Sequence, residues 1–267
     1  MTHLARCLAT ALLVSLVALP AAATPTAPTR APYGWLASTA PPDATLATRI
    51  PPPPGFERVP APATSFAAWL RGLPMRPDGA PVLTHTGQPK WRQDVHAAVV
   101  DIDIGKRDLQ QCADAIMRLR AEWLFAADRK GDIRFNDTEG KRLTFSSRRD
   151  SGYAAFRKYM DYVFAYAGTY SLERELKPAP LASLQTGDVF IKGGFPGHAV
   201  LVADTVENAQ TGEKRFLLVQ SYMPAQEMHV LKNLAAGDGS PWYPAAFDGE
   251  LVTPEWTFPE GALHRWP

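Results

Sequence analysis

Three short apolar runs in the C-terminal half constrain this chain most. They are VFIK (Val189–Lys192), HAVLVAD (His198–Asp204) and KRFLLVQSYM (Lys214–Met223). Runs of this length, rich in β-branched and aromatic residues and bounded by turn signals, predict strands. A glycine-rich loop, KGGFPG, joins the first two, and a turn near NAQTGE joins the last two. They therefore predict consecutive antiparallel strands, with MHVL (Met228–Leu231) as a candidate fourth.

The preceding chain has a different period. HAAVVDIDIG (His96–Gly105) predicts a strand whose second half alternates Asp101 and Asp103 with Ile102 and Ile104, giving it one wet face. Asp108 is a good N-cap for LQQCADAIMRLRAEWLFAADRKG, where Ala115, Ile116, Leu119 and Trp123 recur at helical spacing until Gly131. A shorter helical piece starts at Ala67 and breaks at Gly72 and Pro74. Asp132 to Gly152 is polar and turn-rich, as a hairpin would be. A second helix follows, with Phe156, Met160, Val163 and Phe164 on one face and Gly168 at its stop. The aromatic, proline-rich tail predicts an irregular wrap in which Trp242, Tyr243, Trp256 and Trp266 cover the core. Strand, helix, helix, then antiparallel strands is the order of an α+β domain, its helices packed on a small antiparallel sheet.

The first segment is not fold. Arg6, an apolar run from Leu8 to Leu19, and Ala21 and Ala23 in an A-x-A arrangement make residues 1–23 a secretory signal peptide. The run is too short to span a bilayer, which takes roughly 20 apolar residues. Residues 24–60 are a proline- and alanine-rich linker, or a strap held to the domain by Tyr33, Trp35 and Phe56. Residues 61–267 then make one domain, of a length that buries a sizeable core. The expected product is exported and soluble, periplasmic or secreted. A net charge of +1, with no basic stripe carrying interleaved aromatics, excludes a nucleic-acid partner. No basic amphipathic helix marks a membrane surface. His96, Asp101 and Asp103 are a weak metal set, because the histidine and the two acids fall on opposite strand faces.

Of the two cysteines, Cys7 leaves with the leader, so Cys112 stands alone in an exported chain. A free cysteine is most often a small buried hydrophobe. A cysteine hydrolase, however, needs a thiolate, an imidazole to form it and a polar group to orient the imidazole. Cys112 lies near the start of a predicted helix, whose free N–H groups favour a thiolate, though four residues past the expected cap. His198 enters its strand from a loop in which Gly193, Gly194 and Gly197 leave space around the ring. Gln220 on the next strand is the candidate orienting group, with Asp204 and His229 as lesser ones. Gln110 and Gln111 are candidate oxyanion donors, Gln111 the preferred one, and Gly194, Gly197 and Tyr222 are candidate substrate contacts. This chemistry requires no cofactor and no metal. The alternatives are a strand-edge histidine bonded to backbone and an inert thiol.

GDVFIKGGFPGHAVLV resembles the strand–loop–histidine–strand segment of papain-like enzymes of the NlpC/P60 and CHAP type. That resemblance covers about twenty residues and implies amide hydrolysis, often in peptidoglycan. RDLQQCADAIMRLRAEWL, YMDYVFAYAGTYSLERELKP, LLVQSYMPAQEMHVLKN and TPEWTF, together with that segment, resemble the bacterial "domain of unknown function 4846" family. This resemblance runs from about Tyr33 to the end. It implies an exported protein, although many such proteins are lipoproteins and no cysteine here is placed for lipidation. In NlpC/P60 enzymes the nucleophile opens the helix before the Gly-Asp turn, which here points near Phe156, where neither cysteine nor serine stands; Ser151 is several residues early. Two expectations follow. One is a papain-like cysteine hydrolase acting on a peptide or peptidoglycan-like substrate through Cys112, His198 and Gln220. The other is an envelope protein that keeps the cleft for binding without a working nucleophile.

Overall fold

A computed structural model describes residue 1 and residues 33–36, 44–145 and 150–267. Apart from Met1, the expected leader lies outside the described residues, as do linker residues 24–32 and 37–43. Among the described residues no helix is long and apolar enough to cross a membrane.

The fold is mixed α and β around one large antiparallel sheet. In chain order its first elements are α1 (Leu46–Arg49), β1 (Glu57–Arg58), α2 (Phe66–Arg71), β2 (His96–Val99) and α3 (Cys112–Ala126). A hairpin of β3 (Arg134–Asn136) and β4 (Arg142–Thr144) precedes α4 (Tyr153–Tyr166), α5 (Thr169–Glu175) and β5 (Lys177–Pro178). The strand series is β6 (Val189–Lys192), β7 (His198–Glu207), β8 (Lys214–Gln220) and β9 (His229–Leu231). The tail adds β10 (Trp242–Pro244), β11 (Leu251–Val252), β12 (Thr257–Phe258) and β13 (Leu263–Arg265).

The strand order is β2-β9-β8-β7-β6-β13-β5, with β1 continuing on the far half of β7 and β10 on the near half of β8. The sheet is thus larger than the expected small one, and the tail is not merely a wrap. Leu263 and His264 pair with Phe190 and Val189, which inserts the end of the chain into the sheet. Alternate residues of β7 explain why it reads as continuously apolar. Ala199 and Leu201 join the core under the helices, while Val200 and Val202 join a second core under the tail with Phe258 and Leu263. With both faces covered, polar residues have no wet side to occupy.

Two element boundaries differ from expectation. The strand from His96 ends at Val99, after which Val100 and Asp101 bond to Met228 and Pro74, and Asp103 is held by buried Arg118 through both its carbonyl and its carboxylate. The long helix starts at Cys112, not after Asp108. Asp108 instead accepts the backbone N–H of Ala225 at 2.7 Å and the side chain of Gln111 at 3.0 Å, while Asp114 accepts the Gln111 N–H at 3.1 Å. Asp114 therefore closes the first turn, and the cysteine moves from the helix interior to its first residue.

The proline-rich segment is held to the domain where it is described. Tyr33 is buried beside Trp69, donates to the Trp69 carbonyl, and packs edge-on with Trp35. Trp35 donates to the Asp101 carbonyl.

Candidate active site

Four elements converge where β6 turns into β7. Helix α3 packs against β7, so the first turn of α3 meets the first residues of the strand. Cys112 is 4 % exposed, and its sulfur lies against the backbone N–H groups of Ala113 and Ala199, the latter adjoining His198. Burial pushes the thiol up to about 12, and Asp114 pushes in the same direction; the two amides pull the other way. Asp114 is itself held well above the usual carboxylate range by burial, with one oxygen unbonded.

His198 is fully buried on the first residue of β7. Tyr222, Trp256 and Phe258 surround its ring at centroid distances of 4.8, 5.3 and 5.7 Å. Burial lowers its pKa to about 4, against a smaller upward pull from Gln220. Its Nε2 is 3.0 Å from Gln220 Oε1, and its Nδ1 is buried with no hydrogen-bond partner among the described residues.

The neighbours of Gln220 fix which proton the histidine carries. The Gln220 Nε2 donates to Glu255 Oε2 at 2.7 Å and stands 3.3 Å from His229 Nε2. His229 Nδ1 donates to the Glu227 carbonyl at 2.8 Å, so its Nε2 is an acceptor. Glu255 Oε2 also takes a hydrogen bond from the buried Lys90 Nζ, a donor only, at 2.6 Å, so this oxygen is an acceptor. Both neighbours of Nε2 therefore accept, which turns Oε1 toward the histidine. His198 must then bear its proton on Nε2, leaving Nδ1 as the basic nitrogen.

The expected residues are not all equivalent in place. Cys112, His198, Gln220 and Tyr222 meet at one locus: Tyr222 touches the His198 ring and is close enough to Cys112 for a thiolate there to raise its hydroxyl. Gln111 is tied to Asp108 through its side-chain amide. Gln110 is 1 % exposed, gives its oxygen to Arg118 at 2.8 Å, and keeps a buried, unbonded Nε2. Asp204 is not beside His198; it holds Arg58 and Arg71 further along β7, each at 2.7 Å.

The glycines do not leave open space. A Cβ on Gly197 would stand 2.3 Å from Thr169 Oγ1 and 2.5 Å from the Lys192 carbonyl, and one on Gly193 would meet Glu173 at 2.5 Å. Gly194 has φ +151°, a backbone that side-chain-bearing residues rarely adopt. These residues are small because the loop is pressed onto α5. Phe195 at its tip is 84 % exposed. On the other side of the site, Trp91, Arg92, Tyr222, Thr253 and Trp256 line an open groove of ≈ 550 Å³.

Lys90, Glu255 and Trp256 escape a reading of the sequence alone. Glu255 and Trp256 sit inside the TPEWTF stretch, but nothing in the spacing ties them to a histidine 57 residues earlier.

A family model described as "Domain of unknown function (4846)" matches residues 46–150 and 145–265. No curated protein and no solved structure matches the chain.

Proposed function

We propose a function for a chain that belongs to the family described as domain of unknown function (4846): an exported, papain-like cysteine hydrolase that cleaves an amide bond, with cell-wall peptide as the substrate class. The observation that carries this reading is the His198 imidazole. Its Nε2 is committed to Gln220, its Nδ1 is buried and unbonded among the described residues, and the N–H of the next residue, Ala199, lies against the Cys112 sulfur. Cys112 is the nucleophile, His198 the general base and acid, and Gln220 the orienting group.

As Sγ attacks the carbonyl carbon, its proton passes to His198 Nδ1, and the carbonyl oxygen becomes an oxyanion. Collapse breaks the C–N bond, and Nδ1 returns the proton to the leaving amine. The same nitrogen then takes a proton from the water that attacks the thioester, and returns it to Sγ as the C–S bond breaks and the acid product leaves. The Gln110 amide nitrogen and the N–H groups of the first turn of α3 are donors available to the oxyanion. At rest both partners are neutral, since burial raises the thiol and lowers the imidazole. The groove beside Tyr222 and Trp256 is where an extended substrate would lie, with Tyr222 as a contact.

A second reading has its own observation. Cys112 is nearly closed to solvent and its thiol is pushed up to about 12, as suits an inert buried cysteine in an envelope protein that uses the groove only for binding. Iodoacetamide labelling at pH 6 separates the two. In the hydrolase, His198→Ala should lower the rate of alkylation at Cys112 at least tenfold, within the usual ~10²–10⁴ contribution of a general base. Equal rates in both proteins would overturn the hydrolase, and slow labelling of both would favour the binding protein.

A further inference from the structure

Arg120 lies on α3 eight residues after Cys112, or about 12 Å along the helix axis. Its guanidinium is held among three rings, with its central carbon 4.5 Å from the Trp123 centroid, 5.3 Å from Phe66 and 5.4 Å from Trp266. It is only partly buried, and among the described residues no carboxylate or carbonyl accepts from it. Arginines in such positions ordinarily pair with an acid, because a desolvated cation is costly.

Other charges around it sharpen the imbalance. Arg120 lines a cavity of ≈ 430 Å³ with Arg71, Asp188, Arg265, Phe66 and Trp266. Asp188 is fully engaged by Arg265 at 2.7 and 2.8 Å. Asp204 is shared between Arg58 and Arg71. Two buried carboxylates therefore answer three arginines, and Arg120 is a fourth without one. On its other side Arg120 lines a smaller cavity of ≈ 140 Å³ with Arg129, Arg134, Asp132, Glu175 and Trp266. Asp132 is taken by Arg129, while burial pushes the Glu175 carboxyl up to about 7. Positive charge is in excess on the side of the larger cavity. The Trp266 indole N–H supplies a further donor that is buried and, among the described residues, has no hydrogen-bond partner.

We propose that this cavity binds an oxyanion, a carboxylate or phosphate group carried on an apolar body, held by the edge of the Arg120 guanidinium and the Trp266 indole N–H. Three rings lie around the guanidinium and, among the described residues, no acceptor takes its N–H groups, whose planar fork suits carboxylate and phosphate through paired hydrogen bonds. Val59, Pro60, Pro62 and Phe66 form the apolar wall for the remainder of the ligand. The site is separate from the one that holds Cys112. It lies where β6 begins and β7 runs toward its end, whereas Lys192 and His198 pair at the opposite end of that hairpin.

The test is a titration of the full chain with inorganic phosphate and with benzoate, following the Trp266 indole N–H resonance at low salt. The expected result is a saturable shift with at least one probe, with about tenfold or greater weakening in Arg120→Met, which keeps the stem but loses the charge. Arg120→Lys should bind at an intermediate level, since it keeps the charge without the fork. Stronger binding of phosphate would identify a phosphoryl ligand, and stronger binding of benzoate a carboxylate on an apolar stem. A non-saturating response of the wild-type protein to both probes, or unchanged affinity in the folded Met and Lys variants, would overturn the site. Neither result depends on the reactivity of Cys112.

Discussion

His198 and His229 are buried as neutral rings, and this has a cost that pH exposes. In the unfolded chain each takes its proton near pH 6.5, but in the fold burial delays this to about 4 for His198 and about 3 for His229. Between those values the unfolded state binds more protons, so stability falls as pH falls from 6.5 toward 4. The loss for His198 is on the order of 3 kcal/mol. Urea midpoints at pH 7, 5.5 and 4.5 should drop accordingly, and His198→Gln should flatten the decline; parallel curves would contradict neutral burial. The same residue shows what a sequence conveys about a site. A lone histidine after a glycine loop, with an amide on the next apolar strand, was enough to place His198 and Gln220 together. Lys90 and Glu255 were not legible, because they come from distant parts of the chain and meet only through the fold.

At the scale of elements, the boundaries set the chemistry. Strand positions β6 to β9 follow directly from apolar runs and turns, since local pattern and tertiary burial agree there. The start of α3 does not, because Asp108, a good cap by type, is drawn to the Ala225 N–H while Asp114 closes the turn. That long-range bond puts Cys112 at the helix terminus and not four residues inside it, as Asp108 in the cap position would. The glycine loop likewise needs the fold to explain it. Gly197 is small because Thr169 and the Lys192 carbonyl leave no room for a methyl group. Gly197→Ala should therefore cost about 2 kcal/mol, typical of overpacking against backbone. Gly131→Ala, at a position with open space, should change the unfolding midpoint little. Similar midpoints for both would show that the loop has slack.

At the scale of the molecule, the N-terminal strap and the sheet are joined by charge as well as by aromatic packing. Asp204 is fully buried on β7, just past the irregularity between Val202 and Asp204 where Ala203 is left without a partner. Its two oxygens hold Arg58 from β1 and Arg71 from α2. Arg58 also donates to the carbonyls of Ala47 and Ile50, and Arg71 to that of Val59. One carboxylate thus closes the strap around the middle of the sheet. Asp204→Asn removes the charge but leaves both guanidinium groups largely covered, so it should cost about 3 to 5 kcal/mol, as for other broken buried pairs. The loss should be local first. The variant should be nicked by trypsin after Arg49 or Arg58 faster than the parent, at a temperature where β7 and β8 amides stay protected from exchange. If cleavage and thermal midpoint both match the parent, the aromatic packing of Tyr33, Trp35 and Trp69 holds the strap without the ion pairs.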